Sequence, residues 1–150
     1  MIERAIDMEA VARIFNHPKV YGWVSDDSSI PPYVPLLSHY YIANEEKTAV
    51  VRIDPLTGTA CMVHIAVLPE LWGGQTLAFA KDGIVWVFSN TKYTKIISLA
   101  PEFNRMAIVL GQRCGFKIEG KITKSFMKNW VLYDQIVLGL SKYDKEVLCQ

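Results

Sequence analysis

Cysteine is scarce in this chain and shows no pairing pattern. Cys61, Cys114 and Cys149 lie far apart, in no spacing used by metal sites. An odd cysteine count without a charged-then-apolar leader predicts reduced thiols in a cytosol-like, cytoplasmic setting. Histidine is equally sparse: three residues with no metal-ligand spacing, so no metal site is expected. No apolar run approaches the roughly 20 residues that cross a bilayer, which predicts a soluble protein with no membrane partner. A dominant charge is missing too. The net charge of +1 argues against nucleic acid as the main partner, and no basic stripe interleaves with the aromatic residues. Nucleophile-elbow, Walker-type and dinucleotide fingerprints are all absent.

What is present suits one domain, residues 1–150, with 51% apolar residues and room to bury a core. Charge is unevenly spread. Residues 1–91 hold 6 basic and 10 acidic side chains, whereas residues 92–150 hold 10 and 5. A basic second half suits an anionic ligand and an acidic first half a cationic one; ordinary surface variation explains the counts as well.

Asp7 is a natural N-cap, and Met8, Val11, Ala12 and Phe15 recur at helical spacing until Asn16-His17-Pro18 stops them. Residues 17–37 hold four of the seven prolines, the Asp26-Asp27 pair and Tyr21, Trp23 and Tyr33, and read as a long structured loop. Strands are expected at 39–43, 48–53 and 59–68, the last a near-continuous apolar run of the kind that sits centrally in a sheet. A helix is expected from Gln75 to Phe88, with Leu77, Ala80, Ile84 and Phe88 at helical spacing, Trp86 on another face and Gly83 inside it. A short strand follows at 95–99. In the next helix Met106, Ala107, Leu110 and Cys114 stripe one face, and Gly115 is placed as its cap. Phe116, Ile118 and Ile122 alternate with polar residues as a half-buried strand, 127–130 turns, and Val131–Leu140 returns.

One stretch organises the rest. The run HIAVLP breaks at Pro69 into Leu71-Trp72-Gly73-Gly74-Gln75-Thr76 and a helix, and a strand–glycine turn–helix presents backbone N–H groups to phosphate. Asn104, then Gly115-Phe116 about three turns later, then a strand reaching Glu119-Gly120, resembles the second half of the GNAT N-acetyltransferase core. The resemblance is nearest to the ribosomal-protein and phage-encoded branches; the His-Pro, Trp and Asp-Asp sequence resembles the opening of phage members, and Asp134 an acidic position of the ribosomal branch. It implies an α/β (α+β) fold with a mixed, largely antiparallel sheet of six to seven strands and three to four helices.

It also implies a function: transfer of acetyl from acetyl-CoA to a primary amine such as a protein N-terminus, a lysine or a small amine. The backbone at Val67 and Leu68 would pair with the pantetheine arm, Trp72, Gly73, Gly74, Gln75 and Thr76 would hold the pyrophosphate, and Asn104 would contact the arm. Gly73-Gly74 is equally well an ordinary turn, and Asn104 an ordinary N-cap. The loop carrying Asp26, Asp27 and Tyr33 would wall the acceptor side. The two carboxylates can attract a cation or simply cap a turn. The attacking ammonium must lose a proton. His64 titrates in the right range but shares a strand face with Met62 and Ala66, where a hydrogen-bonded core histidine is the other reading. Glu102 and Glu119 are the next choices, or plain surface charges. The tyrosine that many members place four residues before the glycine is Gly111 here. That gap supports a second hypothesis, a catalytically degenerate GNAT-fold binding or assembly component, for instance in a phage particle; an unrelated α+β binding domain is a third. Basic residues at the groove mouth would favour the enzyme, and a groove filled by Trp72, Trp86 or Met106 the assembly role. The Val-, Ile- and Leu-rich C-terminal strand is suited to a homodimer sheet.

Overall fold

Asp7 has extended backbone, and its carboxylate accepts from the Ala10 N–H at 3.1 Å, so it opens helix α1 (Met8–Phe15) as the sequence predicts. The computed structural model describes residues 1–144, and Cys149 lies outside the described residues. A strand absent from the sequence reading, β1 (Ile2–Arg4), precedes α1; three residues carry too little alternation to be read. Residues 17–37 are not one irregular loop either. Pro18 ends α1, but its fixed φ then starts a second helix, α2 (Pro18–Val24), with His17 Nδ1 accepting from the Lys19 N–H at 3.2 Å. Asn16 fastens the loop beyond: its side chain donates to the Tyr33 carbonyl at 2.8 Å and accepts from the Tyr33 N–H at 2.7 Å.

Strands β2 (Tyr40–Asn44), β3 (Ala49–Pro55) and β4 (Ala60–Val67) form the expected meander. A single 3₁₀ turn at Pro69–Leu71 leads into α3 (Gly74–Asn90), then β5 (Lys95–Pro101), α4 (Arg105–Arg113), β6 (Lys117–Lys128) and β7 (Val131–Ser141). Among the described residues seven strands form one sheet, in the order β1-β2-β3-β4-β5-β7-β6. Every neighbouring pair is antiparallel except β4 and β5, which the α3 crossover makes parallel. This is the mixed, largely antiparallel sheet that the sequence implies.

The sheet separates two cores. Helices α3 and α4 cover Ile42, Val51, Ile96 and Leu138 on one face, and α1 and α2 cover Tyr41, Val50 and Ala66 on the other. Cys61 and Cys114 are fully buried, and burial pushes both thiols up to about 11, so they serve as the small apolar residues their positions suggest. Trp86 packs on the Tyr40 ring at 5.9 Å.

Four expectations need correction. Met106 is 60% exposed, and Ile108 is the buried residue of α4. β6 is not half-buried: it is an edge strand with Ile118 and Ile122 exposed, because period two fixes which side chains share a face, not whether a layer covers that face. It also runs on to Lys128, and the turn shrinks to Asn129-Trp130, both at positive φ. β7 lies between β5 and β6, paired on both sides, so it offers no edge for a dimer sheet.

Gly83 faces the sheet from inside α3, where an added Cβ would lie 3.8 Å from Val51 and 4.0 Å from Ile42, ordinary contact distances. Gly83→Ala should therefore raise stability by up to about 1 kcal/mol, seen as a higher urea midpoint at unchanged slope. A lower midpoint would show that the helix needs its present distance from the sheet.

Candidate active site

The sheet opens in its middle. β4 and β5 pair only from Ala60/Lys95 to Met62/Ile97, after which they diverge. β3 holds β4 along Cys61–Val67 and β7 holds β5 along Lys95–Pro101, so each half keeps its own course. The Leu68 N–H donates to the Thr48 carbonyl at 2.9 Å. By the alternation of an antiparallel ladder, Ala66 and His64 then spend their backbone groups on β3, while Ile65 and Val67 turn theirs toward the opening. Trp72 Nε1 donates to the Val67 carbonyl at 2.9 Å, which leaves the Val67 N–H and both Ile65 groups along that edge.

A cavity of about 530 Å³ occupies the opening, walled by β4 at Ile65–Val67, by Trp72, Gly73, Gly74 and Thr76, and by α4 from Asn104 onward. Gly73 stands at φ +109°, a conformation open to glycine, and turns the chain into α3 without a side-chain cap. The first amides of α3 thus carry the positive end of a helix of 17 residues with no side chain bound to them. Thr76 Oγ1 donates back to the Leu71 carbonyl at 2.9 Å and braces this turn. Asn104 caps α4, accepting from the Ala107 N–H at 3.2 Å. Lys19, Arg105 and Arg113 line the cavity, and no carboxylate of the described residues does.

Of the residues expected at a site, Val67, Trp72, Gly73, Gly74, Thr76 and Asn104 come together here. Leu68 is buried in the other core, and the Gln75 side chain stands exposed outside the cavity, leaving only its amide at the helix start. Glu102 is not in the cavity; its carboxylate accepts from the Asp134 N–H at 3.2 Å. Glu119 pairs with Lys95. Asp26 folds onto Ser28 and Ser29, whose hydrogen bonds, the Ser28 hydroxyl first, lower its pKa. Asp27 accepts from the Asn129 and Trp130 N–H groups, both at 2.9 Å, and so ties the loop to the β6–β7 turn. Tyr33 stacks on Phe15 at 4.4 Å with its hydroxyl 2.7 Å from that of Tyr41. None of these three loop residues lines the cavity.

His64 lies on the face covered by α1 and α2, its Nε2 3.1 Å from Asp54, which also binds Arg52 at 2.8 Å. Its side chain is 42% exposed, yet loss of water on this crowded face, and then Arg52, lower its pKa against the pull of Asp54. The imidazole is therefore neutral at neutral pH. Ala66, the next residue on this face and roughly 7 Å along the strand, borders the cavity.

The sequence marks Trp23 only as part of the loop at 17–37 and gives no role to Lys19, Arg105 or Arg113. A usable signal existed in α4: Arg105, Val109 and Arg113 recur every fourth residue, one helix face, and all three line the cavity. From Lys19, Trp23 and Trp72 the cavity continues into a shallow aromatic depression with Phe103, Tyr133 and Lys128. Phe103 meets the Tyr133 ring at 4.7 Å and the Trp23 ring at 6.4 Å. On the opposite side a smaller pocket of about 90 Å³ shares Ile65, Ala107 and Leu110 with the cavity. Gly111 borders it, and a Cβ there would come within 3.0 Å of Leu138 Cδ1, so α4 packs too closely on the sheet at this point for a tyrosine. The groove is open: Trp72 forms a wall, Trp86 lies elsewhere and Met106 stands at the rim.

No protein-family model matches the sequence, and no curated protein matches it. Solved structures do match. Spermidine N-acetyltransferase from Vibrio cholerae, in complex with CoA and spermine, superposes with a TM-score of 0.79 at 15% identity, over 99% of this chain and 97% of its own. The ribosomal-protein-S5-alanine acetyltransferase from Vibrio fischeri gives 0.76 at 19% identity, over 95% and 93%. An N-acetyltransferase from Staphylococcus aureus Mu50 gives 0.71 at 16% identity, over 94% and 97%. Over nearly its whole length, then, this chain has the GNAT N-acetyltransferase fold.

Proposed function

We propose that this protein is an N-acyltransferase that moves an acetyl-type group from acetyl-CoA to a primary amine. The backbone edge of Ile65 and Val67, unpaired where β4 leaves β5 and ending at the uncapped start of α3, is the observation that carries the reading. A pantetheine arm has amides that suit such an edge. A pyrophosphate suits the amides after Gly73, and Arg105 and Arg113 supply counter-charge along the same cavity. The spermidine enzyme of like fold is in complex with CoA, which agrees with this use of the groove.

The acceptor would enter from the α2 side, over Trp23 and Phe103. Its nitrogen attacks the thioester carbonyl, the C–N bond forms as the C–S bond breaks, and CoA departs as the thiolate. His64, neutral and oriented by Asp54, is the base on that side of the sheet; it lies outside the cavity lining, so the ammonium proton reaches it through water. Glu102, held by the Asp134 backbone, is the weaker choice. The wall meeting the acceptor is aromatic and bears Lys19 and Lys128, and no carboxylate of the described residues lines it, so it offers a polycation such as spermine no counter-charge from these residues. An amine on an apolar or aromatic body suits it better.

Saturation with acetyl-CoA or desulfo-CoA at about 100 times the dissociation constant should stabilise the protein by roughly 2.7 kcal/mol, a shift of several degrees. No shift at millimolar ligand would contradict the enzyme reading and favour an assembly component that keeps the fold alone. In an arylalkylamine assay, His64→Ala should lower kcat/KM by about 10²–10⁴-fold with CoA binding retained. The wild-type rate should fall with acid through a pKa below 6.5, because the protonated imidazole cannot accept a proton. An acid limb that persists in His64→Ala would assign the base elsewhere.

A further inference from the structure

We infer that the donor carries an acyl chain longer than acetyl, of about four to five carbons, seated in the small pocket between α3, α4 and the sheet. The inference rests on the acyltransferase reading above and specifies which group is transferred. The pocket holds about 90 Å³, about three times the roughly 30 Å³ that a water-sized group takes up in a liquid, which is room for about three further carbon atoms. Its walls among the described residues are apolar, Ser98 being the polar exception, and include the small residues Ala80 and Gly83 of α3, where a larger side chain would fill the space. Water gains few partners in such a place, whereas apolar ligands occupy it readily.

Position decides which ligand that is. The pocket meets the main cavity at Ile65, Ala107 and Leu110, and Ile65 is also the residue whose backbone faces the diverging strands. A chain bound by its amides along that edge brings its thioester end to the pocket mouth. The acceptor side cannot use this space, because the aromatic depression lies around α2 and the β6–β7 turn, away from α3. The chemistry is unchanged in balance: the acyl C–S bond of butyryl- or pentanoyl-CoA breaks, an amide C–N bond forms, the amine gives up one proton, and CoA leaves as the thiol.

The test is a calorimetric series of CoA, acetyl-, propionyl-, butyryl- and pentanoyl-CoA on the full chain. Affinity should tighten by about fourfold per added carbon from acetyl to butyryl, the transfer value of a buried methylene. Ala80→Leu, which narrows the pocket, should flatten the series relative to CoA measured on the same variant. Should Ala80→Leu fail to fold by circular dichroism, Gly83→Ala adds a single methyl to the same wall and should shift the preference toward shorter chains. Butyryl-CoA binding no tighter than acetyl-CoA, or a gradient unchanged in the folded variant, would overturn the inference. CoA binding without a gradient overturns the pocket but leaves the transferase reading standing; no CoA binding overturns both.

Discussion

The structure depends on a parallel pairing that stops early. β4 and β5 share three residue pairs and then part, each held firmly by its other neighbour. A strand buried in a sheet normally satisfies both backbone edges, and here the edge at Ile65 and Val67 has no strand to meet. That unmet hydrogen bonding, more than any side chain, defines the groove. Trp72 takes one of the carbonyls with its indole, so the wall that bounds the groove also answers part of its demand.

The rest of the fold works to keep that gap open at a fixed width. Glycine is used where a side chain would change it: Gly73 allows the turn at φ +109°, and Gly111 lets α4 lie close on Leu138. The two faces of β4 are put to different use. Cys61, Val63, Ile65 and Val67 pack toward α3 and α4. His64 looks the other way, into a chain of polar contacts through Asp54, Arg52, Tyr33 and Tyr41. Burial, and then the Tyr33 hydroxyl, raise the pKa of Tyr41 and keep it a neutral partner in that chain. Titratable groups in mutual contact thus gather on one face of β4, and apolar packing on the other.

Much of this was legible in the residues. Asp7, Asn104 and Gly115 marked helix ends because capping is local, and the three-strand meander followed from β-prone runs divided by polar turns. Gly73-Gly74 and Asn104 are legible as a turn and a cap because those backbone roles leave a sequence trace. What was missed depends on tertiary context. Pro18 looked like a stop and is also a start. Ile118 and Ile122 alternate as a buried strand would, but nothing packs over the outer edge. Asp26 and Asp27 read either as acceptor ligands or as turn caps, and they cap turns; that the turn served by Asp27 lies about a hundred residues away has no trace in the sequence. Arg105 and Arg113 escaped notice because the apolar stripe of α4 was followed and its cationic face was not.

The most direct measurement is backbone amide hydrogen exchange, residue by residue by NMR, with and without CoA. The account predicts new protection at Ile65 and Val67, on the free edge of β4, and at Gly74–Thr76 at the start of α3. The amides of Ala66 and His64, already paired with β3, should change little. Protection confined to other surfaces, or none at saturating CoA, would contradict the claim that the diverging strands form the ligand's binding edge.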